Sequence, residues 1–232
     1  NTAVGYESLS QNSTGANNVA VGHGALENNT TADNNVAVGM DAMTANTTGT
    51  RNTAVGDNAL SANTTANDNT AIGSYALDAN TTGSNNTAIG SDALKTNTGG
   101  SHNIAIGLNA LEDCTASNNI AIGVDAATNV TTGTLNTVVG RSALETCTTG
   151  GYNCAYGYNS LNALTTGTEN AAYGYSTMVN CTTGHSNAGC GSFALQEVST
   201  GTYNAALGHS PLRRCSTGHH NVAIGYAAGD HV

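Results

Sequence analysis

Three aspartates, Asp41, Asp92 and Asp125, stand at the same place in a repeating pattern, two residues after a recurring glycine. Paired carboxylates do acid–base work on a glycosidic bond only when they lie within about 5–10 Å of each other. These three are two or more repeats apart, and Asn58 and Asn109 occupy places between them, so no catalytic pair is expected. The glycine-rich calcium repeat that would turn such aspartates into Ca²⁺ ligands is missing. His219 and His220 are the only adjacent pair among seven histidines. Neighbours on an extended chain point to opposite faces, so a solvated or turn position is expected for both. Cys114, Cys147, Cys181 and Cys215 share one column, seven residues after the glycine, with two repeats between successive members. Two strand spacings are about 9.6 Å, beyond the roughly 7 Å that a disulfide spans between Cα atoms. Buried free thiols are expected, with Cys147–Cys154 and Cys181–Cys190 the pairs a disulfide could reach. No Cys-x-x-Cys or Cys/His cluster suggests a metal. There is no phosphate loop, dinucleotide fingerprint or nucleophile elbow. The reading is a non-enzyme, with no catalytic residue, cofactor or metal.

Binding chemistry has better candidates. Ser13, Thr30, Thr47, Thr64, Thr81 and Thr98 form one hydroxyl column, and Thr14, Thr31, Thr48, Thr65 and Thr82 form a second beside it. A flat array of this kind suits ice or a repetitive carbohydrate surface. The plainer reading is that Thr fits a short strand and caps turns. Tyr158 and Tyr175 share the place just after the glycine and are candidate receptor contacts, because exposed Tyr on a rigid scaffold often meets sugar or protein. Tyr156 and Tyr173 replace Val or Ile and are expected to fill a widened core.

What must position these residues is the repeat itself. Fourteen glycines, from Gly5 to Gly225, recur with twelve intervals of 17 residues and one of 16, between Gly107 and Gly123. Positions are numbered below from this anchor glycine. The unit reads N-T-A-V-G-x-x-A-L-x-x-N-T-T-G-x-N. At −4 stands an Asn in every repeat: Asn1, Asn18, Asn35, Asn52, Asn69, Asn86, Asn103, Asn119, Asn136 and onward to Asn221. Gly, Asn and β-branched residues recur too often for a helix pair, which also needs a longer unit. A short strand ending at the anchor, a second short run at Asn-Thr-Thr-Gly and two turns fit better. One turn buries too few apolar side chains to offset the entropy of ordering 17 residues, so turns must stack. The fold expected is all-β, a parallel β-solenoid of 14 rungs of about 17 residues. At about 4.8 Å per rung it would be a rod about 65 Å long. The Asn column is expected to form a structural ladder along it.

Strand alternation assigns the faces. With Val or Ile at −1 and Leu or Met at +4 turned inward, the small residues at −2 (Ala3, Ala20, Ala37, Ala54, Ala71 and Ala88) would line an outer face suited to packing against another chain. At +7, Asn in the early repeats gives way to Cys, Val or Leu in the later ones, so that column is expected to be enclosed at least in the second half.

Composition bounds the rest. Charged residues make up 9% and the net charge is −10. Arg51, Lys95, Arg141, Arg213 and Arg214 form no phosphate-tracking stripe, so nucleic acid is not an expected partner. No run approaches the length of a membrane span, and no basic and apolar leader is present. The chain reads as a single repeat domain over 1–232, cut from a longer fibrous protein.

The N-T-A-V-G, N-N-V-A-V-G, N-N-T-A-I-G and H-N-I-A-I-G units resemble the head repeats of YadA-like trimeric autotransporter adhesins, and similar arrays in phage and other viral tail fibres. The likeness covers essentially the whole chain, on residues such as Asn18, Ala20, Val21 and Gly22, or Asn69, Ala71, Ile72 and Gly73. Its implication is a left-handed parallel β-roll, three copies side by side as a homotrimer, on a cell surface or virion, attaching to a host glycan or protein receptor. The adhesin head unit is typically shorter than 17 residues. The stalk and membrane anchor of that family are not in this sequence. The expected role is therefore a rigid structural and attachment rod, with an ice- or carbohydrate-surface-binding solenoid as the alternative.

Overall fold

A computed structural model describes residues 1–230 of the chain. The chain divides into two compact units, Asn1–Asn118 and Asn119–Val232. The boundary falls within the one 16-residue interval of the repeat.

In the first unit the strands are β1 (Thr2–Val4), β2 (Val19–Val21), β3 (Val36–Val38), β4 (Thr53–Val55), β5 (Thr70–Ile72), β6 (Thr87–Ile89) and β7 (Ile104–Ile106). In the second they are β8 (Ile120–Ile122), β9 (Thr137–Val139), β10 (Cys154–Tyr156), β11 (Ala171–Tyr173), β12 (Ala188–Cys190), β13 (Ala205–Leu207) and β14 (Val222–Ile224). Within each unit every strand pairs in parallel with the next. The register is one repeat, as in Thr53↔Thr70, Ala54↔Ala71 and Val55↔Ile72, or Cys154↔Ala171, Ala155↔Ala172 and Tyr156↔Tyr173. Parallel neighbours need a long return path, and here the rest of each repeat is that path. Each unit is thus a parallel β-solenoid.

Each turn holds one strand, where two were expected. The Asn-Thr-Thr-Gly run is a chain of bends. Its amides show why: Thr47 and Thr48 both donate to the carbonyl of Thr64, at 3.0 and 3.1 Å, which no regular ladder does. The remaining turns are equally bent. In one repeat Asn58, Leu60 and Asp68 take φ of 54°, 54° and 60°, and the same three places are left-handed in nearly every other repeat. For a non-glycine residue this costs about 1 kcal/mol or more, and it persists because neighbouring rungs fix the backbone. Leu60 donates to Ala76 at 2.9 Å and Asn58 to Met40 at 2.9 Å. The anchor admits glycine alone. Gly56 has φ 139°, and a Cβ there would run into the carbonyl of Gly73 in the next rung.

The inside of a turn follows from this path. Asn52, Ala54, Ala59, Leu60, Asn63 and Ala66 are all at most 2% exposed. The interior is narrow. The strand supplies only its central residue, and the Ala-Leu pair at +3 and +4 fills the space opposite.

Candidate interaction surfaces

The narrow core reverses the expected faces. Ala20, Ala37, Ala54, Ala71 and Ala88 at −2 are fully buried inside their own chain, and only Ala3, in the first strand, is exposed. They cannot line an outer face. The residues on either side of them, at −3 and −1, turn outward. Val55, Ile72 and Ile89 in the first unit and Ile122 and Leu207 in the second are 36–50% exposed. Three residues per strand leave one inward position, which holds Ala or Gly in every rung but one, where a fully buried Val138 takes it. A signal was present in the repeat itself. Position −2 is almost invariantly Ala, whereas −1 changes among Val, Ile, Tyr, Cys and Leu. A close-packed interior tolerates less change of volume than a surface does.

The Asn column at −4 is internal. From Asn1 to Asn86 the side-chain oxygen of each member accepts the backbone N–H of the next, and its amide donates to a carbonyl 14 residues on; Asn103, in the short repeat, donates to Ala116, 13 residues on. Thus Asn52 accepts from Asn69 at 3.0 Å, Asn69 from Asn86 at 3.0 Å, and Asn69 Nδ2 donates to Gly83 at 2.9 Å. The same links join Asn1, Asn18, Asn35 and Asn103 to their neighbours. Asn136 bonds Asn119 in both ways, through its backbone N–H at 3.0 Å and its side-chain amide at 3.2 Å. A second ladder was missed. At +7, Asn29, Asn46, Asn63, Asn80 and Asn97 are fully buried. Each donates to the side chain of the one before, as Asn63 does to Asn46 at 2.8 Å. Enclosure at +7 therefore extends to both units. A column of amides is as buriable as a column of thiols once each amide is bonded.

All six cysteines are free thiols. Burial pushes Cys147 up to about 11 and Cys181 up to about 12, which leaves both unreactive near neutrality. Cys190 is exposed and Cys154 half-buried, both on the outward strand face. Tyr156 and Tyr173 also lie on that face and not in a widened core. Their rings stack at 5.0 Å and 11°, and Tyr173 is 43% exposed. Partial burial, with Cys154 beside it, raises the Tyr173 phenol above its ordinary value.

Tyr158 and Tyr175 are exposed and stack on each other at 5.5 Å. The row continues through Phe193 and His209, which meet their neighbours edge-on at 5.3 and 5.8 Å, to Tyr226, which stacks on His209 at 5.5 Å. Tyr158 and Tyr175 cover one face of each other and otherwise remain exposed. The Thr columns behave differently from each other. At +8 the hydroxyls of Thr47 and Thr81 donate to the carbonyls of Thr64 and Thr98, both at 3.0 Å. At +9, Thr31, Thr48, Thr65 and Thr82 are exposed.

The remaining titratable groups are dispersed. Asp41 lies 3.6 Å from His23, and Asp92 pairs with Lys95 at 2.8 Å, which holds its carboxyl below the usual range. Asp125 stands in the other unit. His219 Nδ1 accepts from the backbone N–H of Thr202 at 3.1 Å, and His220 stacks on Tyr203 at 5.0 Å. Among the described residues no three His, Cys, Asp or Glu side chains are placed to hold a metal ion. Among them, too, no helix is long and apolar enough to cross a membrane. No protein-family model, curated protein or solved structure matches this chain.

Proposed function

We propose that this chain is a non-enzymatic structural and attachment module: a rigid rod of a cell surface or virion fibre, working as a homotrimer and presenting contacts to a host glycan or protein receptor. The observation that carries the reading is the outward strand face. Positions −3 and −1 hold no charged residue in any of the 14 repeats, from Thr2 and Val4 to Val222 and Ile224. In each unit this makes an exposed, uncharged and largely apolar face, the kind of surface that marks an interaction site, and copies of the same chain are a partner with a matching uncharged face. Winding supports rigidity, since within each unit every turn is bonded to the next through strand, bends and Asn side chains. Tyr158 and Tyr175 are the proposed receptor contacts, through their exposed rings and hydroxyls. The native mass by light scattering tests the assembly, and a glycan array with a Tyr158→Ala/Tyr175→Ala comparison tests attachment. A monomer across the micromolar range sinks the assembly reading.

The alternative, an ice- or carbohydrate-surface binder, draws on the exposed Thr column at +9. The column beside it spends its hydroxyls on its own backbone, which is why attachment through a fibre is preferred.

A further inference from the structure

Nine asparagines stand in the triplet Asn-x-Ser/Thr, the acceptor that N-linked glycosylation reads. Such acceptors belong on a surface, because the added sugar is bulky. Here the hydrogen bonds of the side-chain amide sort them. At +7, Asn29, Asn46, Asn63 and Asn80 are fully buried, and each uses both amide hydrogens. Asn46 donates to Asn29 and to the Gly49 carbonyl, both at 3.0 Å, and Asn63 donates to Asn46 at 2.8 Å and to Ala66 at 3.2 Å. Asn29 and Asn80 make the same two bonds. Asn12, Asn28 and Asn129 commit one hydrogen each, to the carbonyls of Gly15, Thr44 and Glu145. Asn85 and Asn180 are exposed, and among the described residues their side chains make no hydrogen bond.

We infer that Asn85 and Asn180 are open acceptors for an N-linked hexose, and that a hexose on Asn29, Asn46, Asn63 or Asn80 and a folded first unit exclude each other. In the transfer the amide nitrogen attacks the anomeric carbon of a hexose carried on a nucleotide diphosphate. The bond from that carbon to the phosphate oxygen breaks, a carbon–nitrogen bond forms, and the amide loses one proton. One N–H is left where there were two. At +7 this removes either the link to the previous rung or the link within the turn, and it strands a buried acceptor. It also sets a sugar ring where the space is filled: a single carbon added at Gly49 would already stand 2.7 Å from Asn63 Nδ2. At Asn85 and Asn180 no bond is given up. Asn180 stands eight residues after Ala172, the inward residue of β11. That is about half of the 17-residue repeat, so a sugar there leaves the outward strand face clear. The same triplet therefore has opposite consequences in different columns. A transferase that meets the wound chain adds sugar outside only. One that reads the chain before it folds stops the first unit from winding.

A soluble N-glucosyltransferase that reads the triplet and draws on UDP-glucose tests both halves. Folded protein treated with enzyme and UDP-glucose is expected to gain glucose at Asn85 and Asn180, and none at the four +7 sites, by peptide mass mapping. Co-expression in bacteria offers the enzyme the chain before it folds. It should lower the yield of soluble, protease-resistant protein several-fold against a catalytically dead enzyme. In the protein that stays soluble, occupancy at the four sites should be at least about tenfold below that of the insoluble fraction, the effect of leaving one buried group unbonded. Thr31→Val/Thr48→Val/Thr65→Val/Thr82→Val abolishes the four triplets at exposed positions and leaves the Asn ladder in place. Its yield should be the same with active and dead enzyme. Protease-resistant protein carrying glucose at the four sites as often as the insoluble fraction overturns the exclusion, and so does a yield that the Thr→Val variant fails to restore. Folded protein left bare at both Asn85 and Asn180 overturns the assignment of open acceptors.

Discussion

Replacing Asn69 by Ala removes one link of the internal ladder without touching the outer faces. Asn69 is buried, and its side chain does two jobs: Oδ1 accepts the Asn86 N–H at 3.0 Å and Nδ2 donates to the Gly83 carbonyl at 2.9 Å. Asn69→Ala strands a buried backbone donor and a buried backbone acceptor. Each stranded buried group costs about 1–3 kcal/mol, so the expected loss is about 2–6 kcal/mol, a large part of the ~5–15 kcal/mol of an ordinary domain. Asn69→Asp separates the two jobs. It keeps the acceptor for Asn86 but sets a carboxylate oxygen against the Gly83 carbonyl, and burial raises the pKa of that carboxyl. The protonated form regains a donor. Stability of the Asp variant is therefore fullest at low pH and is lost as pH rises through the raised folded value. Urea melts followed by circular dichroism, with amide exchange at Asn86, read both effects. The Asn86 amide should lose protection in the Ala variant and keep it in acidified Asp variant. A loss under about 0.5 kcal/mol with Asn86 still protected would refute the claim that this column holds the rungs together.

Gly56→Ala combines a disfavoured φ with a clash against the Gly73 backbone and is expected to destabilise by about 3 kcal/mol or more. Gly99→Ala, at an exposed place with ordinary φ and only Thr82 Oγ1 within 4 Å, should leave the melting temperature nearly unchanged. A thiol reagent at pH 8 should label Cys190 in the folded protein and reach Cys147 and Cys181 only on unfolding. Those two thiols are raised in the folded state above the ordinary value of about 8.5. Their contribution is therefore full below that pH and is lost as pH climbs toward about 11 for Cys147 and about 12 for Cys181. Cys147→Ala/Cys181→Ala should flatten this alkaline decline in urea melts taken from pH 8 to 11. Thermal hysteresis measured on ice crystals is expected to be absent. A hysteresis that Thr48→Val/Thr65→Val abolished would favour the ice-binding alternative.

The repeat was legible from residue spacing alone, because stacking identical turns forces identical residues into register. The anchor glycine and the Asn at −4 recur at a fixed distance since each bonds or clashes with its own copy one rung away. Strand position was legible for the same reason, from a short β-branched run closed by glycine. The second strand was not. Thr has high β-propensity, but the left-handed residues at +2, +4 and +12 bend the return path, and Leu60, Asp68 and their equivalents are not residue types that announce such a backbone. The direction of the faces was also beyond the pattern. Alternation says that −2 opposes −3 and −1. It does not say which side is inside, and hydrophobicity favours the larger Val and Ile. Only the assembled turn decides: from β2 to β14 the middle residue of the strand lies inside, across from the Ala59–Leu60 pair and its equivalents. The outer strand face, the candidate interaction surface of this protein, exists because a strand of three residues turns one inward and leaves the two beside it outside.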